Sequence, residues 1–296
     1  MVNDRHLLYH FVAFLTVSIW GTTYVASKVL ISNGLSPAQI FTLRFAIAYI
    51  LMLAMFHKKI WSETVRDELL FVALGVTGGS MYFLTENTAL GLSTATNVSL
   101  IVCSCPLVAA ILISLIYKSE YFRRMQIIGS VLCLAGMATV VLNGHFVLHL
   151  SPLGDTLAFG ACLSWAFYSV LMKKVSDRYS SSFITRKVFF YGLLTILPYY
   201  LFRPGFPPLQ LLMRPDVLSN LLFLGCLASM VCYLSWTWCL NKLGVVRASN
   251  WIYFNPITTI IFAWIVLDEK ITVYFMIGTL LILSGMYIAD RKTGNL

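Results

Sequence analysis

Long apolar runs alternate with short polar connectors along almost the whole chain. A helix needs about 20 apolar residues to cross the hydrocarbon core of a bilayer. Runs of about that length recur, so the pattern predicts an all-α polytopic membrane protein with ten transmembrane helices. The predicted spans are 9–30, 37–56, 68–88, 95–117, 124–142, 155–174, 184–202, 217–240, 247–267 and 272–289.

The composition points to the same surroundings. Hydrophobic residues make up 59% of the 296 residues and charged residues 11%, whereas a soluble domain has about 25% charged residues. The chain cannot cover itself with a hydrated surface, and we expect it to lie in a lipid bilayer. On a soluble protein a net charge of +9 would suggest nucleic acid. Here the basic residues lie between apolar runs, so we expect no nucleic-acid partner.

The basic residues are unevenly divided between the two ends of the predicted spans. If the chain begins in the cytoplasm, the outer connectors contain only Arg203, Arg214 and Lys270, and most other basic residues fall on the inner side. Lysine and arginine concentrate in cytoplasmic loops. The pattern therefore predicts that both termini are cytoplasmic. The first apolar run carries no small-residue cleavage site, so we expect it to be retained as the first span.

The second half of the chain repeats the first. KSEYFRRMQIIGSVLCLAGM (118–137) aligns without a gap with LDEKITVYFMIGTLLILSGM (267–286). At this one displacement the matched pairs are Glu120 with Glu269, Gly129 with Gly278, and Gly136 with Gly285. Each half, 8–142 and 154–290, would contain five spans, an odd number, so the halves would insert with opposite orientations. Inverted five-helix repeats suit alternating access around a site near the bilayer midplane.

Two matching spans carry polar and aromatic residues on one face. Trp20 and Thr23 lie at helical spacing in the first span, with Tyr24 adjacent, and Trp165 and Tyr168 occupy the matching positions of the sixth. In lipid such a face turns toward other helices or toward a wet cavity. The pattern is compatible with helix packing and with the lining of a solute path.

Prolines at matching depth interrupt the fourth and ninth spans. Asn97 precedes Pro106, and Asn250 and Tyr253 precede Pro256. Proline removes a backbone donor and kinks a helix, which frees carbonyl groups for a solute or for neighbouring helices. We expect Asn97 and Asn250 either to bind solute or to form interhelical hydrogen bonds. The further aromatic candidates for a cavity wall are Tyr82, Trp238 and Trp251.

Glu86 is the one charged residue in the range 69–117. A lone carboxylate in hydrocarbon costs roughly 2.5 kcal/mol or more. One hypothesis is a structural ion pair of Glu86 with Arg44 or Lys28, which are predicted to lie in the same leaflet. The other is a functional carboxylate that faces a cavity and carries a coupling proton or contacts a cationic solute group. The repeat places Thr237 at the position of Glu86, so the acid belongs to one half only.

Signals for metal binding and catalysis are missing from the sequence. The seven cysteines lie in apolar runs without metal-ligand spacing. His6 and His10, and His145 and His149, are four residues apart, but neither pair belongs to an HExxH motif. No paired intramembrane aspartates and no membrane serine-nucleophile motif are present. We expect no metal, no cofactor and no enzymatic activity.

Several stretches carry a family resemblance. They are SIWGTTYVASK, LSPAQIFTLRF, ENTALGLSTATNVSLIVCSCPLVAAIL, RASNWIYFNPITTIIFAWIVLDE and the two glutamate–glycine segments aligned above. With these the chain resembles an EamA-type member of the drug/metabolite transporter superfamily, built from two tandem units. The resemblance implies a secondary transporter of the bacterial inner membrane, often an exporter of amino acids or related metabolites.

The expected partners are therefore a small-molecule solute and the bilayer. Gly75 and Gly79 form a small-xxx-small pattern that can bring helices together within the bundle or across a dimer. We expect a monomer, with a dimer as the alternative. An alternative function is exchange of nucleotides or sugar phosphates, which would need several cations in the cavity. Only Lys28 and Arg44 are placed in spans of the outer half.

Overall fold

The structure is a computed structural model that describes residues 2–57, 60–93, 95–117, 124–142, 151–202, 205–267 and 273–290. Within these ranges the regular elements are helical and no strand forms. The α-helices in chain order are α1 (Val2–Ser32), α2 (Pro37–Met55), α3 (Val65–Gly75), α4 (Met81–Leu92), α5 (Ala95–Val102), α6 (Cys105–Ile116), α7 (Arg124–Leu142), α8 (Pro152–Val175), α9 (Ser181–Phe202), α10 (Leu209–Leu212), α11 (Pro215–Leu222), α12 (Cys232–Leu243), α13 (Val245–Asn250), α14 (Asn255–Leu267) and α15 (Val273–Asp290).

Several helices are long and apolar enough to cross a bilayer. In the part of the chain that the structure describes, five segments meet this criterion: Leu7–Ser32, Pro37–Met55, Val65–Leu92, Pro152–Val175 and Pro215–Leu243. Shorter apolar helices cover Cys105–Ile116, Arg124–Thr139 and Met276–Ala289. The predicted all-α polytopic membrane fold is confirmed. The count of ten spans and the inverted orientation of the halves stay predictions.

Local chemistry determines where α2 and α8 begin. At the start of α2, the Ser36 side chain accepts from the backbone N–H of Gln39, whose side-chain oxygen accepts from the N–H of Ser36. This reciprocal capping box satisfies backbone donors that a helix start leaves unpaired. Pro37 follows at the first helical position, where its missing N–H has no cost. At α8 the Ser151 hydroxyl accepts from the N–H of Gly154 in the same way.

The kink predicted at Pro106 is a helix break, and the one predicted at Pro256 is a 3₁₀ turn between two α-helices. The predicted span 95–117 is divided into α5 and α6, and α6 begins at Cys105 with Pro106 in its first turn. The predicted span 247–267 contains α13, a 3₁₀ turn over Trp251–Phe254, and α14, which begins immediately before Pro256. Proline lacks an N–H and therefore suits the first turn of a helix, although α9 also contains Pro198 in its interior.

Two π-helical stretches interrupt long helices. Val76–Ser80 joins α3 to α4, and Phe223–Val231 joins α11 to α12. In such a stretch the backbone hydrogen bonds reach the fifth residue instead of the fourth. Gly78 is required in the first stretch, because a β-carbon there would lie 2.3 Å from the Tyr168 ring.

Backbone carbonyls of both π-helical stretches accept hydrogen bonds from the opposite half of the chain. Ser164 of α8 donates to the carbonyl of Thr77 at 2.7 Å. Trp20 Nε1 of α1 donates to the carbonyl of Ala228 at 2.9 Å. The first helix of each predicted half is therefore attached to the third helix of the other half.

Helices α7 and α15 approach each other through glycines. A β-carbon on Gly129 would lie 2.5 Å from the Gly285 carbonyl oxygen, and one on Gly285 would lie 2.6 Å from that of Gly129. A β-carbon on Gly136 would lie 2.7 Å from the carbonyl oxygen of Gly278. Only glycine permits this backbone separation, as in other small-residue helix contacts in membranes.

Candidate functional site

A cavity of about 40 Å³ lies between the helices. Of the predicted solute-binding residues, those that line it are Trp20, Thr23, Tyr24, Tyr82 and Trp165. Both Glu86 and Arg44 line it as well. The residues come from α1, α2, α4 and α8, so the cavity combines side chains from both predicted halves.

Glu86 is held in the cavity wall by its neighbour one turn earlier. Helix α4 places Tyr82 and Glu86 four residues apart on one face. The Tyr82 hydroxyl donates to Glu86 Oε1 at 2.6 Å. The Glu86 residue is 6% exposed, so this hydrogen bond orients a carboxylate that is removed from bulk solvent.

Arg44 supplies the opposite charge from α2. It is 2% exposed, and its Nε donates to the Ser229 hydroxyl at 2.9 Å. The guanidinium carbon lies 4.4 Å from the centroid of the Phe83 ring. A cation over an aromatic face is stabilised by the negative potential of the ring. Hydroxyl and ring together position the guanidinium at the cavity.

The expected direct ion pair of Glu86 does not form in this structure. Neither Arg44 nor Lys28, both of which the structure describes, approaches the Glu86 carboxylate within 4.0 Å. Lys28 Nζ instead donates to the backbone carbonyls of Leu90 and Ser93. These carbonyls lie at the C-terminal end of α4, where a cation offsets the negative end of the helix dipole. Lys28 is a helix cap here, and Glu86 and Arg44 share a cavity without direct pairing.

Aromatic rings form much of the cavity wall. The Trp20 and Trp165 ring centroids are 5.5 Å apart at an interplanar angle of 89°. Tyr82 and Tyr233 lie 5.1 and 5.9 Å from the Trp165 ring. Such tilted and edge-to-face arrangements are the favoured geometries of aromatic pairs. Trp165 Nε1 is buried without a hydrogen-bond partner among the described residues.

Other predicted residues lie elsewhere in the described structure. Tyr168 packs behind Trp165 with ring centroids 4.9 Å apart, and Trp238 packs edge-on against Tyr9. Tyr253 is fully buried, and Asn250 lines a separate cavity. None of these side chains lines the 40 Å³ cavity. The side chain of Asn97 lies outside the described residues.

Sequence reasoning missed part of the lining. The missed residues are Phe83, Val102, Cys105, Tyr233 and Ile252. The lining also includes Asn255, which belongs with Asn250 and Tyr253 to the polar stretch before Pro256. Tyr233 could have been found, because the displacement that aligns Thr237 with Glu86 also aligns Tyr233 with Tyr82. Asn255 is 4% exposed and its Oδ1 has no partner in the described ranges. The apolar residues carry no sequence signal that separates them from ordinary core residues.

Acidic residues at the start of α3 bind basic residues of the second half. Arg178 donates to both carboxylate oxygens of Asp67, at 2.6 and 2.9 Å. Those hydrogen bonds raise the pKa of Arg178. The Glu68 carboxylate accepts from Lys187 and from the Tyr191 hydroxyl. The two carboxylates thus connect α3 to α9 and to the segment before it.

A multi-pass helical bundle with a charged, aromatic cavity between its helices is an architecture that membrane transport proteins use. The EamA-like transporter family matches residues 7–142 and 152–289. The chain belongs to this family, which is part of the drug/metabolite transporter superfamily. The division into two domains at 8–142 and 154–290 stays a prediction.

Relatives and a solved structure resemble the chain over nearly its whole length. An uncharacterized transporter of Archaeoglobus fulgidus is 27% identical over 96% of this chain and 97% of its own. A probable amino-acid metabolite efflux pump of Escherichia coli is 24% identical, with 93% and 92% covered. A probable terminal-alkyne amino-acid exporter of Streptantibioticus cattleyicolor is 23% identical, with 94% and 92% covered. These names support a transporter rather than an enzyme. A crystal structure with 18% identity and a TM-score of 0.73, covering 95% of this chain and 96% of its own, shows the same fold.

Proposed function

We propose that the protein is a secondary active transporter of the bacterial inner membrane that exports amino acids or related small metabolites. The observation that carries this proposal is the shared cavity of Glu86 and Arg44. A zwitterion presents an ammonium group, which a carboxylate binds, and a carboxylate, which a guanidinium binds. Both protein charges are buried, so these contacts would be stronger than in water. The aromatic walls suit the apolar part of such a solute.

The separation of the two charges supports the functional hypothesis for Glu86. A structural pair would place the guanidinium directly on the carboxylate, whereas here Arg44 donates to Ser229 and the Glu86 carboxylate accepts from the Tyr82 hydroxyl. The carboxylate can therefore bind an ammonium group or a proton as part of the transport cycle. We propose that a proton and the cationic group of the solute bind Glu86 alternately, which would couple export to proton entry.

Alternating access of two inverted five-helix halves completes the proposal. The α7–α15 contact supports it. Gly129 contacts Gly285 and Gly136 contacts Gly278, and the sequence repeat converts the first of these pairs into the second. A volume of about 40 Å³ is far below the 300 Å³ or more of typical ligand pockets. The helices would therefore have to separate on one side to admit solute. We propose a functional monomer with both termini cytoplasmic.

The test is counterflow in proteoliposomes that contain the purified protein. A panel of amino acids, nucleotides and sugar phosphates is offered to vesicles preloaded with each labelled solute. The proposal expects counterflow of amino acids and none of phosphate esters, whose several negative charges would meet only Arg44 among the described lining residues. Counterflow of phosphate esters alone would establish the alternative exchanger function and refute ours.

Glu86→Gln tests coupling in the same vesicles. It should abolish the dependence of transport on an imposed pH gradient. The matched control is Glu63→Gln, which changes an exposed glutamate outside the cavity. A Glu86→Gln protein that is folded and still responds fully to the gradient would exclude the coupling role.

A further inference from the structure

A second cavity, of about 380 Å³, lies where the end of α2 meets the start of α9. Polar and apolar residues line it in nearly equal number: Met55, Phe56, His57, Ser180, Ser182, Phe183 and Arg186. None of them lines the central cavity. The predicted topology places this end of the bundle on the cytoplasmic side. Lipids of the inner leaflet and soluble anions of the cytoplasm could both reach it there.

Arg186 is a buried cation in the wall of this cavity. It is 5% exposed. Its Nη1 donates to the backbone carbonyl of Phe56, and its guanidinium carbon lies 5.6 Å from the centroid of the Phe183 ring. These contacts position the guanidinium but use only one of its five N–H groups. The other N–H groups have no acceptor among the described residues.

Arg186 also lacks a carboxylate, unlike the basic residues before and after it in the chain. Arg178 binds Asp67, and Lys187 binds Glu68. No carboxylate of a described residue lies within 4.0 Å of the Arg186 guanidinium. None of the described residues that line the cavity is acidic. Because a buried charge is costly unless it is paired, an anionic ligand would supply the missing partner.

The start of α9 adds donors of another kind. Ser180 immediately precedes the helix, and its hydroxyl lies 3.3 Å from that of Ser182. The first N–H groups of a helix have no acceptor within it and form the positive end of the helix dipole. Ser180 Oγ accepts from the N–H of Phe183 at 3.4 Å. The N–H of Ser182 has no acceptor in the described ranges.

We propose that this cavity binds a phosphate group through Arg186 and the start of α9. Arginine binds phosphate through two parallel hydrogen bonds, and helix N-termini are recurrent phosphate sites. A phosphate has more oxygens than a carboxylate, so it can accept from the guanidinium and from Ser182 together. An anionic phospholipid and a soluble phosphate present the same chemistry here, and the experiment separates them. The site is independent of the transported solute.

Protection of Arg186 from phenylglyoxal, an arginine-specific reagent, tests the proposal on the full chain. The protein is reconstituted in phosphatidylcholine nanodiscs, with or without inorganic phosphate, and in nanodiscs that also contain phosphatidylglycerol. Mass spectrometry of peptides measures the reaction rate at each arginine. Arg186 should react about tenfold more slowly at about nine-tenths occupancy. Slowing by inorganic phosphate would identify a soluble ligand, and slowing by phosphatidylglycerol alone would identify the lipid. Either result supports the site.

Arg66 is the control within the same sample, because it is exposed and lies outside the cavity. Unchanged reactivity of Arg186 with both phosphate sources would overturn the proposal. So would equal slowing at Arg66, which would indicate unspecific screening of charge. Equal protection of Arg186 by acetate at the same ionic strength would show a general anion site and would refute the choice of phosphate.

Ser182→Asp is a second test that keeps the arginine in place. The new carboxylate at the start of α9 would supply the partner that Arg186 lacks, and it would also suit the helix dipole. Arg186 should then react slowly without ligand, and the further protection by either phosphate source should be lost. Ser182→Asn, which is similar in size but uncharged, should keep that protection. Full ligand protection in Ser182→Asp would overturn the proposal, since the ligand would then lie elsewhere.

Discussion

Gly129 of α7 and Gly285 of α15 contact each other backbone to backbone, each leaving no room for a β-carbon on the other. The same interface has a second contact, between Gly136 and Gly278. In the sequence repeat Gly278 corresponds to Gly129, and Gly136 corresponds to Gly285. Midway between them the Cys133 thiol donates to the carbonyl of Ile282 at 3.4 Å. The interface therefore relates the two halves by an approximate two-fold exchange.

Gly129→Ala and Gly285→Ala should each destabilise the protein by about 1–3 kcal/mol, the usual cost of overpacking a tight contact. The reason is that the added methyl group would meet a backbone atom that cannot move alone. Gly91→Ala is the control, because nothing lies within 4 Å of its β-carbon position. Thermal unfolding in detergent measures the effect. Equal unfolding temperatures for Gly129→Ala and Gly91→Ala would contradict the described helix separation.

The two cavity tryptophans should respond differently to phenylalanine. Trp20→Phe removes the hydrogen bond to the carbonyl of Ala228 and leaves that acceptor unpaired, a loss of about 1–3 kcal/mol. Trp165→Phe removes an indole N–H that has no described partner, so it should be nearly neutral for stability. If the proposed function is correct, Trp165→Phe should instead weaken solute binding. Unfolding temperature and counterflow, measured on the same samples, separate the two effects, and the opposite ranking of stabilities would refute this assignment.

The pair of Glu68 and Lys187 should contribute more to stability than the pair of Arg214 and Asp216. Their side chains are 17% and 5% exposed, against 53% and 43% for the second pair. Removal of one member of a buried pair leaves an uncompensated charge and costs about 3–5 kcal/mol. An exposed pair contributes about 0–1 kcal/mol. Lys187→Met should therefore lower the unfolding temperature strongly and Arg214→Met only slightly.

The double variant Glu68→Gln with Lys187→Met provides the internal check for that prediction. It should recover much of the stability lost in Lys187→Met, because no unpaired charge remains. A double variant as unstable as the sum of the two single variants would show that the charges do not interact.

Cys105 should report the opening of the central cavity. It lines the cavity and is 1% exposed, so a small methanethiosulfonate reagent can reach it only when the helices separate. Labelling, followed by mass spectrometry of peptides, should accelerate under conditions that promote transport and slow when a transported solute occupies the site. Cys133, which is fully buried between α7 and α15, is the unreactive control. Labelling of Cys105 no faster than that of Cys133 would contradict an opening at this cavity.

Much of the helical framework is readable from the sequence, because its causes are local. Ser36, Pro37 and Gln39 specify the start of α2, and the prolines at 106 and 256 specify the starts of α6 and α14. The π-helical stretches are not readable in this way. No proline marks them, and the Gly78 contact with the Tyr168 ring comes from packing between helices far apart in the chain.

The cavity is readable only where the repeat gives a second signal. The repeat predicts Trp20 and Trp165 at matching positions, and their ring centroids lie 5.5 Å apart. Lys28 was predicted beside Glu86 because both were placed in the same leaflet. Depth along a helix does not determine which neighbour a flexible lysine reaches, and its partners are backbone carbonyls at the end of α4.

In the two hydrogen bonds that attach the halves, the acceptors at Thr77 and Ala228 are backbone carbonyls. Mutation can therefore remove these bonds from the donor side only. A substitution at either acceptor position changes a side chain and leaves the carbonyl oxygen in place. The hydrogen bonds can be removed directly only at the donors, Ser164 and Trp20. A screen for variants with altered movement between the halves should therefore concentrate on α1 and α8, which carry the donors. The π-helical stretches themselves lie in other helices, between α3 and α4 and between α11 and α12.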